Sequence, residues 1–498
     1  MTLFKSFSQS RMGLLLILLS LGIGLRCIYI TQPFIDAWSW RQSDVAIIAE
    51  NFYRYGYRFF YPQISWAGNV PGYVGTEFPL VPFIAALLYP IFGVQEWIGR
   101  AISVFFFSLS TSFFYYFISK IWNKRSAFFA LIIYIFIPLN LYASRSFMPD
   151  MTSLSLSIIS LYLFREWLER KRGIALFTSM CLTTSMAILV KLPAILIGLP
   201  MLYMVYQEYG MKFLLKQKLW YFAILALIVP FSWYVHAYRL SRAHFPYHMF
   251  GDGGLKIMGL DFYFKVFHDA VMLSLTPVLF VGMLIGIVLP SQSIWGRVLH
   301  WWLLAILMFA VIAGNGHRHQ WYLLPLTPIA AALAGRACDA IWSKAMTLRG
   351  KNALIVVASV CFIGFAYLSY LSIHPLYNPW AEPLRNLGKE IDLITKPNAL
   401  VVIADEGDPT AFYYSKRKGW HFPFSWYVQH RSKLIQSQDA INELETLRQT
   451  GASYLAFTQR THYWLDDYPD FRQHLEALYR REIETDSYTI FNLTLPTQ

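Results

Sequence analysis

Acids, cations and aromatic residues recur along this chain in short polar stretches set between long apolar runs. "FIDAWSWRQSD" carries Asp36, Arg41 and Asp44 among Trp38 and Trp40. "YVGTEFPLVP" holds Glu77, and Arg100 opens the apolar run that follows. "SRSFMPD" ends in Asp150 and contains Arg145; "AILVKLPAIL" is interrupted by Lys191. "GNGHRHQWYLLPLTP" presents His317, Arg318, His319 and Tyr322. A carboxylate beside a substrate hydroxyl can act as a general base. Arginine can grip a phosphate bidentately. Histidines with Arg318 suit a phosphate too, and the His-x-His pair specifies no third ligand for a zinc site. Residues 239–270 add Arg239, Arg242, His244, His248, Lys256 and Lys265 among aromatics, a surface suited to a headgroup or a sugar.

Each of these groups also has a plainer reading. Asp36 can be a turn or cap residue. Arg41 and Asp44 can pair with each other, and Glu77 can cap the helix after Pro79. Arg145 and Lys191 can snorkel to lipid headgroups. From Asp44 on, Val45, Ile48, Ala49 and Phe52 repeat at helical spacing, so Trp38 and Trp40 read as interfacial anchors of a surface helix.

The elements that must hold these residues are membrane helices. The chain has 498 residues, 56% hydrophobic and 14% charged, with mean hydropathy +0.40. Soluble domains carry about 25% charged residues. Apolar runs fall at 12–31, 98–119, 126–143, 151–166, 174–190, 192–208, 219–238, 271–290, 299–313, 321–341 and 353–373, about eleven spans. The loops "KIWNKR", "REWLERKRG", "MKFLLKQK", "SIWGR" and "WSKAMTLRGK" are basic, as is the N-terminus with Lys5 and Arg11. By the positive-inside rule that side is cytoplasmic. The formal charge of +13 follows from these loops, with no nucleic acid needed. Counting "FPLVPFIAALLYPIFG" (78–93) as a span would invert every later loop, so it reads as a re-entrant or interfacial helix. All the candidate site residues then share the outer face. Cys27, Cys181, Cys338 and Cys361 form no CxxC and imply neither a disulfide framework nor a cysteine metal site.

After residue 374 the composition changes. "ALVVIA" and "GASYLAFT" read as strands, "INELETLRQ" as a helix, and "FRQHLEALYRREIETDSYTIFNLT" as a helix and an alternating strand. The fold class is a polytopic α-helical membrane protein with juxtamembrane helices in its first outer loop and a C-terminal soluble α/β domain. Residues 1–374 make the membrane domain and 375–498 the extracytoplasmic one. There is no P-loop, GxGxxG or GxSxG.

The order of "FIDAWSWRQSD", "EFPLVPFIAALLYPIFGVQEWIGR", "SRSFMPD", "VKLPAIL" and "HQWYLLPLTP" resembles the GT-C glycosyltransferase superfamily, closest to families 39 and 83, with their protein O-mannosyltransferases and lipid A aminoarabinose transferase. The resemblance implies an inverting transfer from a polyprenyl-phosphate sugar to a hydroxyl of a lipid, glycan or protein. It implies Asp36 as general base and Glu77 and Arg100 at matching positions. Arg145, Lys191 and His319 would stabilise the departing phosphate, and Tyr322 would orient sugar or lipid. Arg41, Asp44, Asp150 and His317 complete the substrate-binding set. Many relatives have two adjacent acids where this chain has Asp36-Ala37; Asp44 or Glu77 could replace the second. No cofactor follows, and a divalent metal is possible but not implied. The implied partners are the lipid-linked donor, the acceptor and a membrane, with no nucleic acid; the implied setting is a bacterial inner membrane. The alternatives are a flippase or transporter of lipid-linked glycan, and a ligase or polymerase using a diphosphate-linked donor.

Overall fold

The computed structural model describes residues 2–171, 173–251, 254–291, 293–345, 351–424 and 436–494. Arg172 and 346–350 of the basic loops, and 252–253 of the 239–270 loop, lie outside them. The chain forms two compact units. The first gathers Met1–Ile30, Gly99–Tyr234 and Gly251–Leu376; the second gathers Thr31–Ile98, Val235–Phe250 and Tyr377–Gln498.

The first unit is helical. The apolar runs expected from the sequence are present as helices, but proline and extended residues break several of them. Run 126–143 becomes Lys124–Phe136 and Pro138–Ala143, because Ile137 before the proline turns extended. Run 192–208 opens as a 3-10 turn, Leu192–Ile197, before the helix Gly198–Tyr209. Leu260–Leu275 meets Pro277–Val288 at a bend of 101°, with Thr276 between them at φ 85°. Among the described residues three helices are long and apolar enough to cross a membrane: Glu96–Ile121, Gln217–Ala243 and Val356–Ile394. The bent pair makes a fourth if counted as one span.

Small residues sit at two helix contacts of this unit. The helix Leu326–Ala345 packs on Lys124–Phe136 and on Pro277–Val288. A Cβ on Gly335 would stand 2.4 Å from the Ala130 nitrogen, and one on Gly286 would stand 2.0 Å from the Leu333 carbonyl oxygen. Without such side chains the backbones approach closely, the usual device of helices packing in lipid. The helices Pro149–Arg170 and Ile174–Val190 pack together through hydroxyls: Ser153 donates to the Ala187 carbonyl at 2.9 Å, and Ser160 shares a hydrogen bond with Thr184.

Sequence reading passed over several buried cations, Arg26 the most enclosed of them. Arg26, near the end of the helix Thr2–Cys27, is fully enclosed. It donates to the Gly22 carbonyl at 2.9 Å and to Ser144, and lies 3.4 Å over the Phe107 ring.

The second unit is built on a five-stranded sheet ordered β2-β1-β3-β5-β4. These are β1 Leu400–Ala404, β2 Lys418–His421, β3 Ala452–Thr458, β4 Arg480–Glu484 and β5 Tyr488–Asn492. β1 runs parallel to β2 and β3, and β5 pairs antiparallel with β3 and β4. The expected strands β1, β3 and β5 are present; β2 and β4 were not anticipated, being short and half polar. Val402, Leu455, Phe457, Phe471 and Phe491 fill one core beside the sheet.

The first loop is part of this unit. Gly419 of edge strand β2 donates to the Ser65 carbonyl at 3.0 Å, and Gly68 donates to the Gly419 carbonyl at 2.6 Å. That covers an edge whose bare backbone groups would otherwise invite foreign strands. Ala381 donates to the Ile35 carbonyl at 2.9 Å, and the Tyr414 hydroxyl accepts from the Phe34 N–H at 2.8 Å while donating to Glu96 at 3.0 Å. The helix Ser39–Tyr55 is therefore buried from Arg41 to Phe52 on every side. Trp38 is packed inside the protein, where the sequence suggested an interfacial anchor.

Candidate functional site

The candidate residues are divided between the two units. In the second unit the chain turns sharply into the helix Ser39–Tyr55. The Asp36 carbonyl accepts from Ser39 at 2.9 Å, and its carboxylate Oδ1 accepts from the Trp38 N–H at 3.3 Å, an Asx-type turn. Gln42, two turns on and equally buried, donates its amide to the same Oδ1 at 2.7 Å. The turn reading of Asp36 is thus realised in its geometry, and Gln42 fixes the carboxylate further. The sequence shows Gln42 among the polar residues of this stretch without marking its role; its spacing of six residues from Asp36 is the only signal.

Arg41 points to Glu77. One guanidinium nitrogen reaches both carboxylate oxygens, at 2.8 and 3.0 Å, and Thr76 donates to the same carboxylate at 3.1 Å. The Phe250 ring lies 4.7 Å from the guanidinium carbon. This displaces two of the plainer readings. The helix Leu80–Phe92 has no side-chain cap, so Glu77 does not cap it. Asp44 accepts from the Trp66 indole N–H at 3.2 Å rather than serving as Arg41's ion-pair partner.

Asp44 is one of several acids buried near the carboxyl ends of β1 and β2. Burial raises its pKa to about 6, against the pull of Arg41 and of the Trp66 indole. Asp405, just past β1, accepts from His421 Nδ1 at 2.7 and 2.8 Å, and burial raises its pKa against that contact. Asp408 accepts from Ser39 at 3.1 Å and from Thr410, and burial lifts it to about 6. Trp66 packs on His421 with ring centroids 5.1 Å apart. Sequence reading missed Trp66, Asp405, Asp408 and His421, which are brought together only by the sheet.

In the first unit, Asp150 stands in the first turn of Pro149–Arg170, and Lys191 ends Ile174–Val190 in extended conformation. The helix dipoles favour an anion at the first position and a cation at the second. The two side chains form a buried ion pair. Lys191 had no acid beside it in sequence; the antiparallel helix packing supplies one. Its ammonium also lies 4.9 Å from the Tyr322 ring centre. Asp150, Ser153, Ser157, Lys191, Trp302 and Tyr322 help to line a cavity of about 40 Å³ with otherwise apolar walls. The second Asp150 oxygen has no hydrogen-bond partner among the described residues.

His317 follows on the short turn Gly314–Arg318. Its Nδ1 bonds the Ala313 carbonyl at 2.9 Å and its ring packs 5.6 Å from Tyr322. Burial lowers its pKa, which favours the neutral imidazole. His319 stacks flat on Trp321, with centroids 4.5 Å apart at 3°. Arg318 is exposed and donates to the Asn315 carbonyl. Arg100 and Arg145 both reach the turn that ends the first helix: Arg100 donates to the Ile30 carbonyl at 3.0 Å and Arg145 to the Tyr29 carbonyl at 2.7 Å. The structure therefore groups Asp150, Lys191, His317 and Tyr322, stacks His319 on Trp321 beside Tyr322, and holds Arg100 and Arg145 at a backbone turn. Among the described residues no three His, Cys, Asp or Glu side chains gather closely enough to hold a metal ion.

Residues 75–236 match the model of the dolichyl-phosphate-mannose-protein mannosyltransferase family. No curated protein sequence matches the chain. Among solved structures, ArnT from Cupriavidus metallidurans bound to undecaprenyl phosphate superposes with TM-score 0.64 at 13% identity, covering 96% of this chain and 98% of that one. The Archaeoglobus fulgidus oligosaccharyltransferase in complex with Zn and sulfate gives TM-score 0.62 at 12% identity, covering 96% of this chain and 72% of that one. The archaeal oligosaccharyltransferase AglB from the same organism, with an inhibitory peptide and a dolichol-phosphate, gives 0.60 at 11%, covering 97% and 74%. The sequence motifs, the family match and these superpositions agree on one architecture: the chain has the fold of the GT-C glycosyltransferases.

Proposed function

We propose that the protein is an integral-membrane inverting glycosyltransferase. It moves a sugar from a polyprenyl-phosphate carrier to a hydroxyl of a lipid, glycan or protein acceptor, on the extracytoplasmic face. The observation that carries this reading is the buried Lys191 ammonium beside Tyr322 at a mostly apolar cavity, in a chain of GT-C fold. A lipid phosphate needs a cation placed where charge develops as it leaves, and an apolar wall for its chain. The solved relatives were captured with undecaprenyl phosphate and dolichol-phosphate, ligands of that chemistry.

In this reading Asp36 accepts the proton of the acceptor hydroxyl, oriented by Gln42 and the Trp38 N–H. Arg41, locked onto Glu77, places substrate. Lys191, His317, His319 and Tyr322 serve the donor, with Asp150 holding Lys191. Arg100 and Arg145 shape the turn after the first helix. Residues 1–374 form the membrane domain and 375–498 the extracytoplasmic one.

The test is mass spectrometry of lipid-linked sugars and glycoconjugates after deletion of the gene. The deletion should accumulate a monophosphate-linked sugar and lose a glycan. Wild-type protein should reverse both, and Asp36→Asn, made at normal level, should reverse neither. Accumulation of a diphosphate-linked glycan instead would favour a ligase or polymerase, and full rescue by Asp36→Asn would remove the base assignment.

A further inference from the structure

A second cleft lies in the second unit, and none of its lining residues is assigned above. It is lined by Glu50, Asn51, Arg54 and Tyr55 of the helix Ser39–Tyr55, by Ser65, and by Lys416, Arg417 and Lys418 leading into β2. Four cations meet here. Arg54 pairs with Glu50 at 2.6 Å. Lys416 and Arg417 share Asp392, at 3.0 and 2.8 Å. The Arg417 guanidinium is otherwise spent on Thr395 and on the Ser415 carbonyl, so its part is structural.

Lys418 is different. Its ammonium has no hydrogen-bond or ion-pair partner among the described residues. It lies 4.5 Å from the Tyr55 ring centre, a contact that orients it without neutralising it. Burial pulls its pKa below the ordinary lysine range, and no carboxylate offsets that. Four cations against two carboxylates leave the cleft with two uncompensated positive charges. A half-buried charge without a partner is costly. The enclosed space is about 10 Å³, room for one water-sized group.

We propose that this cleft binds an oxyanion, with one carboxylate or phosphate oxygen seated on the Lys418 ammonium and the rest of the group facing Arg54 and Lys416. The size of the space admits a single oxygen, so the ligand is the acidic group of a larger molecule or a small free anion. The site does not depend on the transferase reading. It gives the C-terminal segment, which carries no other assigned role, a way to hold an acidic substrate or headgroup.

The test uses the whole protein in nanodiscs of zwitterionic lipid, with its lysines carbon-13 dimethylated and the Lys418 signal identified from its loss in Lys418→Arg. Inorganic phosphate is the probe, against chloride at matched ionic strength. Phosphate should move the Lys418 signal saturably and raise its titration midpoint, while chloride does neither. Arg54→Gln should weaken the apparent affinity roughly tenfold, the scale of one charge-assisted hydrogen bond. In nanodiscs containing phosphatidylglycerol, a Lys418 signal already displaced before phosphate identifies a lipid headgroup as the occupant; an undisplaced one that still answers phosphate identifies a soluble or substrate-borne acid. As a second measurement, phosphate should raise the thermal unfolding midpoint of the wild type and not of Lys418→Met. A Lys418 signal indifferent to phosphate in both lipids, equal responses to phosphate and chloride, or equal stabilisation of Lys418→Met would overturn the proposal.

Discussion

Asp150 and Lys191, 41 residues apart in sequence, form a buried ion pair between the first turn of one helix and the residue that caps the end of its antiparallel neighbour. Removing one partner of such a pair strands the other charge, at a cost of about 3–5 kcal/mol. Asp150→Asn and Lys191→Met should each lower the thermal midpoint in detergent. The double variant should lose less than the sum of the two. Strict additivity in that cycle would show that the pair does not couple.

Arg41 holds both oxygens of Glu77 and lies against Phe250. Lysine keeps the charge but loses the planar guanidinium that faces the Phe250 ring. Arg41→Lys should therefore reduce transfer by about tenfold or more, with little change in expression or unfolding midpoint. Wild-type turnover in that variant would reduce Arg41 to a generic cation.

The acid cluster near β1 and β2 makes a signed prediction about pH. Burial raises Asp44 and Asp408 to about 6 from an ordinary 3.8. Between those values the folded protein binds more protons than the unfolded chain. These groups therefore contribute stability that is present in acid and lost as pH rises through about 6. The thermal midpoint of the wild type should fall over that interval, and Asp44→Asn or Asp408→Asn should flatten the fall. An unchanged slope in both variants would place the titration elsewhere.

Gly335 lies against the Ala130 backbone, where even one added carbon would stand 2.4 Å from the nitrogen. Gly335→Val should force the helices apart and cost about 1–3 kcal/mol or more, read as reduced folded yield and a lower midpoint. Gly364→Ala, on a glycine with open space around it, is the control and should be silent.

Apolar length made the helices legible, because it acts on each segment by itself. The breaks before Pro138 and Pro277 were not: runs 126–143 and 271–290 were read as unbroken, since a proline can also be accommodated within a helix by its packing. Strands β1, β3 and β5 carry enough apolar residues to declare themselves; β2, "KGWH", does not, since pairing along β1 defines it as a strand. The same limit applies to the site. Asp36, Glu77 and Lys191 stood out by type and position, but their partners Gln42, Arg41 and Asp150 were settled by packing. Asp405 and His421 left no trace in sequence because neither meets the other until two parallel strands align.

The cover on β2 comes from Ser65 and Gly68, about 350 positions earlier in the chain. A ribosome makes these residues long before it makes Gly419. Until then the backbone groups at 65–68 lack those partners, and the first loop waits for the last quarter of the polypeptide to complete it. Assembly of the loop that carries Asp36 and Arg41 is thereby tied to synthesis of β2, so a chain terminated before Gly419 would leave the backbone at 65–68 without these partners.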